Sequence, residues 1–169
     1  HYTPQAGWQL YPATGVTDDY VYGMHGIFGY TVELATEFIP PANEVEDICN
    51  DNINGALIML NRTSHSILKG HITDANNGEP LQAEIFIDGI DNTGAERNPY
   101  ISDQEYGSYY RLLTEGSYDV TFMAYGYEAQ TFEDVVISDD SSTIIDVVLS
   151  DGSATASITG TIIDADTFS

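Results

Sequence analysis

Glu33 is the residue whose setting raises the question of chemistry. It stands inside Ile27-Phe28-Gly29-Tyr30-Thr31-Val32-Glu33-Leu34-Ala35, a β-branched and aromatic run that reads as a buried strand. An ionised carboxylate among apolar neighbours is costly unless it is paired or holds a metal. A carboxylate so placed often has a tuned pKa, which is what a general base requires. On pattern alone an exposed edge glutamate is the commoner explanation, and the residue types leave both readings open. Asp18 and Asp19 lie upstream, where paired acids also serve as turn residues that cap backbone N–H groups. The histidines are His1, His25, His65 and His71, and none opens a His-x-x-Glu pair. Cys49 stands alone, so no internal disulfide forms.

Composition narrows the function classes. The chain has 169 residues, with 27 acids against 4 bases, for a net charge of −23. That length suits one medium domain or two small ones. A hydrophobic content of 42% is enough for a packed core. So acidic a surface repels phosphate backbones and anionic membranes, which argues against both as partners. No run reaches the roughly 18 apolar residues that span a bilayer. Lys69 is the only lysine. A lysine-poor, acid-rich surface fits an extracellular or periplasmic protein, where salt screens the self-repulsion. No signal peptide is visible, and the text opens abruptly at His1, as expected of a piece of a longer precursor.

The elements that must position these residues fall into three stretches, α+β overall. Residues 1–63 read as loop, strand and helix. Asp18 to Gly29 lacks a clear period and reads as a loop with short ordered pieces. Pro40-Pro41 punctuates the chain, and Val45, Ile48, Cys49, Ile53, Ala56, Leu57 and Leu60 then follow at helical spacing. A helix is expected over about residues 42–61. Residues 64–150 are all-β, with strands expected at Ile67–Ile72, Ala83–Asp88, Tyr109–Leu113, Tyr118–Ala124, Thr131–Ile137 and Thr143–Leu149. Turn signals such as Asn76-Asn77-Gly78 and Glu115-Gly116 separate them, which predicts a sandwich of two sheets. Residues 151–169 repeat the opening of that sandwich. Gly160 and Asp164 follow Gly70 and Asp74 at a period of 90 residues, so this tail reads as a linker and the first strand of a truncated second copy.

Leu10-Tyr11-Pro12-Ala13-Thr14-Gly15, then Asp18-Asp19-Tyr20-Val21-Tyr22-Gly23, then Tyr30-Thr31-Val32-Glu33-Leu34 place Glu33 22 residues after Tyr11. Text of this order and spacing resembles the C-terminal part of zinc metallocarboxypeptidases of the carboxypeptidase A/T type. Phe38-Ile39-Pro40-Pro41 and the helix after it look like the family's closing strand, loop and helix, so about 60 residues are covered. The resemblance implies that Glu33 takes the proton of zinc-bound water as it attacks the scissile carbonyl. It implies that Tyr11 closes over the bound peptide end and hydrogen-bonds it. Asp18 falls where the family sets C-terminal side-chain preference, and an acid there favours C-terminal Lys or Arg. Asp19 would be the structural acid beside it. The family's zinc ligands, a His-x-x-Glu pair and a distant His, lie upstream of the tyrosine, as does its carboxylate-clamping arginine. This chain has none of them: His71-Ile72-Thr73-Asp74 is the nearest pattern, and residues three apart on a strand face opposite sides. Half a site is therefore expected, with no metal ligand in this chain, no catalytic zinc bound by it and no hydrolysis by it alone.

Residues 66–149 resemble the carboxypeptidase regulatory-like, transthyretin-like β-sandwich. Gly70-x-Ile72-x-Asp74, Gly78-x-Pro80-Leu81-x-Ala83-x-Ile85, Tyr106-Gly107 and the run from Glu115-Gly116 to Gly126-Tyr127 carry it. The combined expectation is a piece of a secreted zinc metallocarboxypeptidase that removes C-terminal amino acids from peptides and proteins, followed by an accessory sandwich. The missing N-terminal catalytic portion would be its partner, and self-association is a further expectation. The rival is a non-catalytic structural or binding module with a degenerate peptidase relic. Asp88-Gly89-Ile90-Asp91-Asn92 and Asp139-Asp140 offer oxygens of the kind calcium takes, although without EF-hand spacing.

Overall fold

A computed structural model describes residues 3–13, 15–94 and 98–152. Three helices come first: α1 (Gly7–Leu10), α2 (Thr17–His25) and α3 (Val45–Asn61). Seven strands follow: β1 (Ile67–Asp74), β2 (Glu84–Ile87), β3 (Ser108–Leu112), β4 (Gly116–Met123), β5 (Gln130–Ile137), β6 (Ser142–Ile144) and β7 (Val147–Leu149). The architecture is α+β, as expected. The tail from residue 153 onward lies outside the described residues, and with it the expected repeat strand.

β1 organises one sheet. It pairs antiparallel with β3 on one side and parallel with β6 and then β7 on the other. β2, β4 and β5 form the second sheet, antiparallel throughout. Alternation puts Leu68 and Ile72 of β1, Ile85 and Ile87 of β2, Tyr109 of β3, Val120 and Phe122 of β4, Ile137 of β5 and Leu149 of β7 into one shared core. Phe122 meets Tyr109 and Phe132 edge to face, at centroid distances of 5.2 and 5.7 Å.

The last expected strand is split in two, and β1 supplies the reason. Between β6 and β7 the chain bends toward Gly70, where an added Cβ would fall 1.9 Å from the Ile145 carbonyl oxygen. The bend interrupts the ladder. Asp146 Oδ1 replaces a backbone acceptor, taking the His71 N–H at 2.9 Å, and Tyr109 donates its hydroxyl to the Ile145 carbonyl at 2.7 Å. Farther along β1, two motifs distant in sequence meet. The Tyr127 hydroxyl donates to Asp74 Oδ2 at 2.8 Å, and the Asn76 N–H donates to Oδ1 at 2.7 Å. These bonds to the charged form hold the Asp74 carboxyl below its ordinary value.

Residues 3–65 sharpen one expectation and overturn another. The stretch from Asp18, expected as a loop with short ordered pieces, contains the nine-residue α2. Its β-branched and aromatic residues hide the helical period, but Asp18 and Asp19 suit its first turn and Gly26, at φ +64°, caps it. The strand expected over residues 27–35 is absent: that stretch belongs to no sheet. A strand needs a neighbour for its N–H and C=O groups, and none of β1 to β7 lies alongside. The helix expected over about 42–61 is present as a 3-10 turn at Ala42–Glu44 followed by α3. Glu46 and Asp47 occupy its positive end.

Candidate functional site

α2 and the stretch after it carry Asp18, Asp19 and Glu33, and Tyr11 precedes α2. Asp18, in the first turn of α2, is half-buried, and its Oδ2 accepts a hydrogen bond of 2.9 Å from Thr31 Oγ1. Gly29 leaves room for this carboxylate, since a Cβ there would fall 2.7 Å from Asp18 Oδ1. Asp18 is thus joined to the stretch that holds Glu33. Asp19 lines a shallow open groove with Val16, Tyr20, Met24 and Asn98. Tyr11 follows α1 and is 53% exposed. Glu33 is also exposed, which corrects the expectation of a carboxylate buried in an apolar strand. The apolar neighbours that would bury it are themselves open: Ile27, Phe28, Tyr30, Val32 and Leu34 are all exposed.

The described residues do not fit a zinc site. They contain no group of three or more His, Cys, Asp or Glu side chains placed to hold a metal ion. His25 stacks edge-on with Tyr20, and His71 lies 3.5 Å from Asp146. His65 lines a groove with Asn61, Arg62, Glu115, Asp139 and Asp140. Within that groove Arg62 donates to the Leu113 carbonyl at 2.5 Å, which ties the end of α3 to the sandwich.

The carboxylates of the Asp88-Gly89-Ile90-Asp91-Asn92 loop have protein partners. Asp91 accepts two hydrogen bonds of 2.8 Å from Arg111 and one of 2.7 Å from the Ile87 N–H. Asp88 Oδ1 accepts from the Asn92 amide at 2.6 Å. Arg111 is the residue that sequence reasoning missed. It faces inward from β3, is 5% exposed and also donates to the Ile85 carbonyl at 2.7 Å. Burial pulls its guanidinium down to about 10, which leaves it charged at neutral pH. The ring of Tyr100 lies over it, 4.6 Å from guanidinium carbon to centroid. The available signal was an arginine at an inward position of the alternation Tyr109, Arg111, Leu113.

Comparison with known proteins bears on the same residues. Residues 1–55, which contain Tyr11, Asp18 and Glu33, match the zinc carboxypeptidase family. Carboxypeptidase D from Anas platyrhynchos is 31% identical over 140 residues, covering 82% of this chain and 10% of that protein. Human carboxypeptidase D is 31% identical over 138 residues, 81% of this chain and 9% of that protein. The carboxypeptidase N catalytic chain of Mus musculus is 31% identical over 129 residues, 76% of this chain and 26% of that protein. The chain thus spans about a tenth of the length of the carboxypeptidase D proteins it matches. Alignments this long cross from residues 1–55 into the sandwich. The chain is therefore similar to the zinc carboxypeptidases: residues 1–55 match that family, and similarity to carboxypeptidases continues through most of the sequence.

Proposed function

We propose that the chain is part of an extracellular or periplasmic zinc metallocarboxypeptidase that hydrolyses C-terminal amino acids from peptides and proteins. Residues 1–63 form the closing portion of its catalytic domain, residues 64–150 an accessory transthyretin-like sandwich, and residues 151–169 a linker and the start of a second sandwich. The observation that carries this reading is the family match over residues 1–55, which spans the spaced pair Tyr11 and Glu33. Glu33 acts as general base on the attacking water, Tyr11 hydrogen-bonds the bound peptide end, and Asp18 favours a basic C-terminal side chain. The zinc of the parent enzyme is held by residues outside this chain.

The exposed apolar surface supports the reading. Ile27, Phe28, Val32 and Leu34 stand open beside no sheet, and Val45, Ile53, Leu57 and Leu60 of α3 are exposed too. Isolated soluble domains rarely leave so many large apolar side chains of one segment open to water. The remainder of a catalytic domain would cover it, and would bring Glu33 out of solvent by supplying a neighbouring strand. In the isolated chain the same surface favours self-association.

In the full-length protein, Glu33→Gln is expected to abolish release of C-terminal residues while leaving bound zinc unchanged. Retained turnover overturns the role of Glu33. A full-length protein that binds no zinc and releases no residue favours the rival, a binding module with a peptidase relic. The isolated chain is expected to release nothing.

A further inference from the structure

α2 has nine residues, among them a glycine, a valine and two tyrosines, and none of them is buried. So short a helix, rich in residues of middling propensity, is marginal in water without tertiary support. Its support comes from the loop that leads into Ser102. The Asn98 N–H donates to the Gly23 carbonyl at 2.8 Å. One turn on, the Tyr100 ring presses on Gly26: a Cβ on Gly26 would fall 2.5 Å from both Cδ2 and Cε2. Among the described residues from 3 to 65, Gly26 is the only buried one.

Tyr100 is itself fixed from the sandwich. Its carbonyl accepts from the Ile85 N–H at 2.8 Å, and its ring rests on Arg111. Arg111 is anchored from beneath by Asp91 and the Ile85 carbonyl. An unbroken line of contacts therefore runs from β2 and β3 through Arg111 and Tyr100 to the last turn of α2. At its first turn α2 carries Asp18, which Thr31 holds from the other side.

We infer that Tyr100 and Asn98 are positioning residues for the substrate-binding segment: the sandwich holds α2 and so sets the Asp18 carboxylate that would meet a basic C-terminal side chain. The substrate half of this inference rests on the peptidase reading above; the mechanical half does not. The sandwich is then part of the apparatus that orients substrate, beyond being an appended module.

The test is amide hydrogen exchange on this chain. Tyr100→Ala is expected to speed exchange of the α2 amides about fivefold, the factor that follows from losing one contact of net hydrogen-bond strength. Exchange in β1, β4 and β5 should stay unchanged, and Tyr100→Phe, which keeps the ring, should restore α2. Asn98→Pro removes the N–H donor together with the side-chain amide that reaches Met24 Sδ of α2, and should loosen α2 with the ring in place. Unchanged α2 exchange in both Tyr100→Ala and Asn98→Pro overturns the inference, as does equal loosening of the strands, which would mark a merely structural role. In the full-length protein, Tyr100→Ala should lower kcat/KM for peptides ending in arginine more than for those ending in a neutral residue. Equal loss on both classes overturns the substrate half alone, and a protein with no peptidase activity overturns the peptidase reading while leaving the exchange result to decide the mechanical link.

Discussion

The sandwich and the segment that precedes it are built to different standards of burial. Residues 66–149 enclose a shared core in which Leu68, Ile72, Ile85, Val120 and Phe122 have no exposure at all. Residues 3–65 contain helices and many large apolar side chains, yet among the described residues none of those side chains is buried. Propensity is evidently enough to define α3 locally, while α2 also leans on Asn98 and Tyr100. These supports are not enough to give that segment a core, because one helix stripe and one unpaired stretch have nothing to close against. A folded outline and a stabilised unit are thus distinct properties of the same chain.

Substitutions separate the two regions most sharply where the sandwich is tightest. Arg111→Ala removes the guanidinium and leaves Asp91 buried without its partner, so a loss of about 3–5 kcal/mol is expected by urea unfolding. Changing both members to apolar residues, Arg111→Met with Asp91→Leu, should recover most of it, because the cost comes from the orphaned charge. Phe122→Ala opens a cavity between the sheets and should also cost about 3–5 kcal/mol. Gly70→Ala drives a methyl group into the Ile145 carbonyl and pushes the bend between β6 and β7 away from β1. That is an overpacking effect of about 1–3 kcal/mol.

The fold of the sandwich was legible because its information is local. Period-two alternation marks Val120 and Phe122 as inward, and the turn dipeptides separate the strands. The split between β6 and β7 was not legible, since it depends on Gly70 receiving Ile145 from 75 residues away. The burial of Arg111 is not legible for a related reason: its partner Asp91 lies 20 residues away in a loop whose oxygens also suit calcium, and only the folded chain brings the two together. In the N-terminal segment, where residues 1–55 match the family, the family resemblance was legible. Burial of Glu33 was not, because an apolar run records what a strand is made to pack against, and whether that surface is present is a separate matter.

A smaller effect lies in the pH dependence of the sandwich. The folded-state carboxyl of Asp74 titrates below its ordinary value of 3.8, chiefly through the Asn76 N–H and then the Tyr127 hydroxyl. A depressed acid contributes stability that is present above its unfolded-state value and is lost as pH falls through the folded-state value. Asp74→Asn keeps an acceptor for both donors but cannot titrate. Its melting temperature is expected to fall less steeply than that of the parent chain below about pH 4. Parallel acid limbs in thermal melts would show that Asp74 does not contribute to acid unfolding.

The smallest expected effect is the one that best examines the contrast between the regions. Leu57 lies on the apolar stripe of α3 and is 55% exposed. Leu57→Ala in this chain should change stability by less than about 0.5 kcal/mol, since little packing is lost and alanine is the better helix former. The same substitution in a full-length protein has a different expectation under the proposed function. There the stripe faces the rest of a catalytic domain, and removing a buried leucine should cost about 2–5 kcal/mol. A near-zero effect in both proteins would mean that nothing covers α3, and the exposed surface would no longer support the peptidase reading. A large effect in this chain alone would mean that α3 is already packed, either on the sandwich or on a second copy; sedimentation of the parent chain and of Leu57→Glu would tell which.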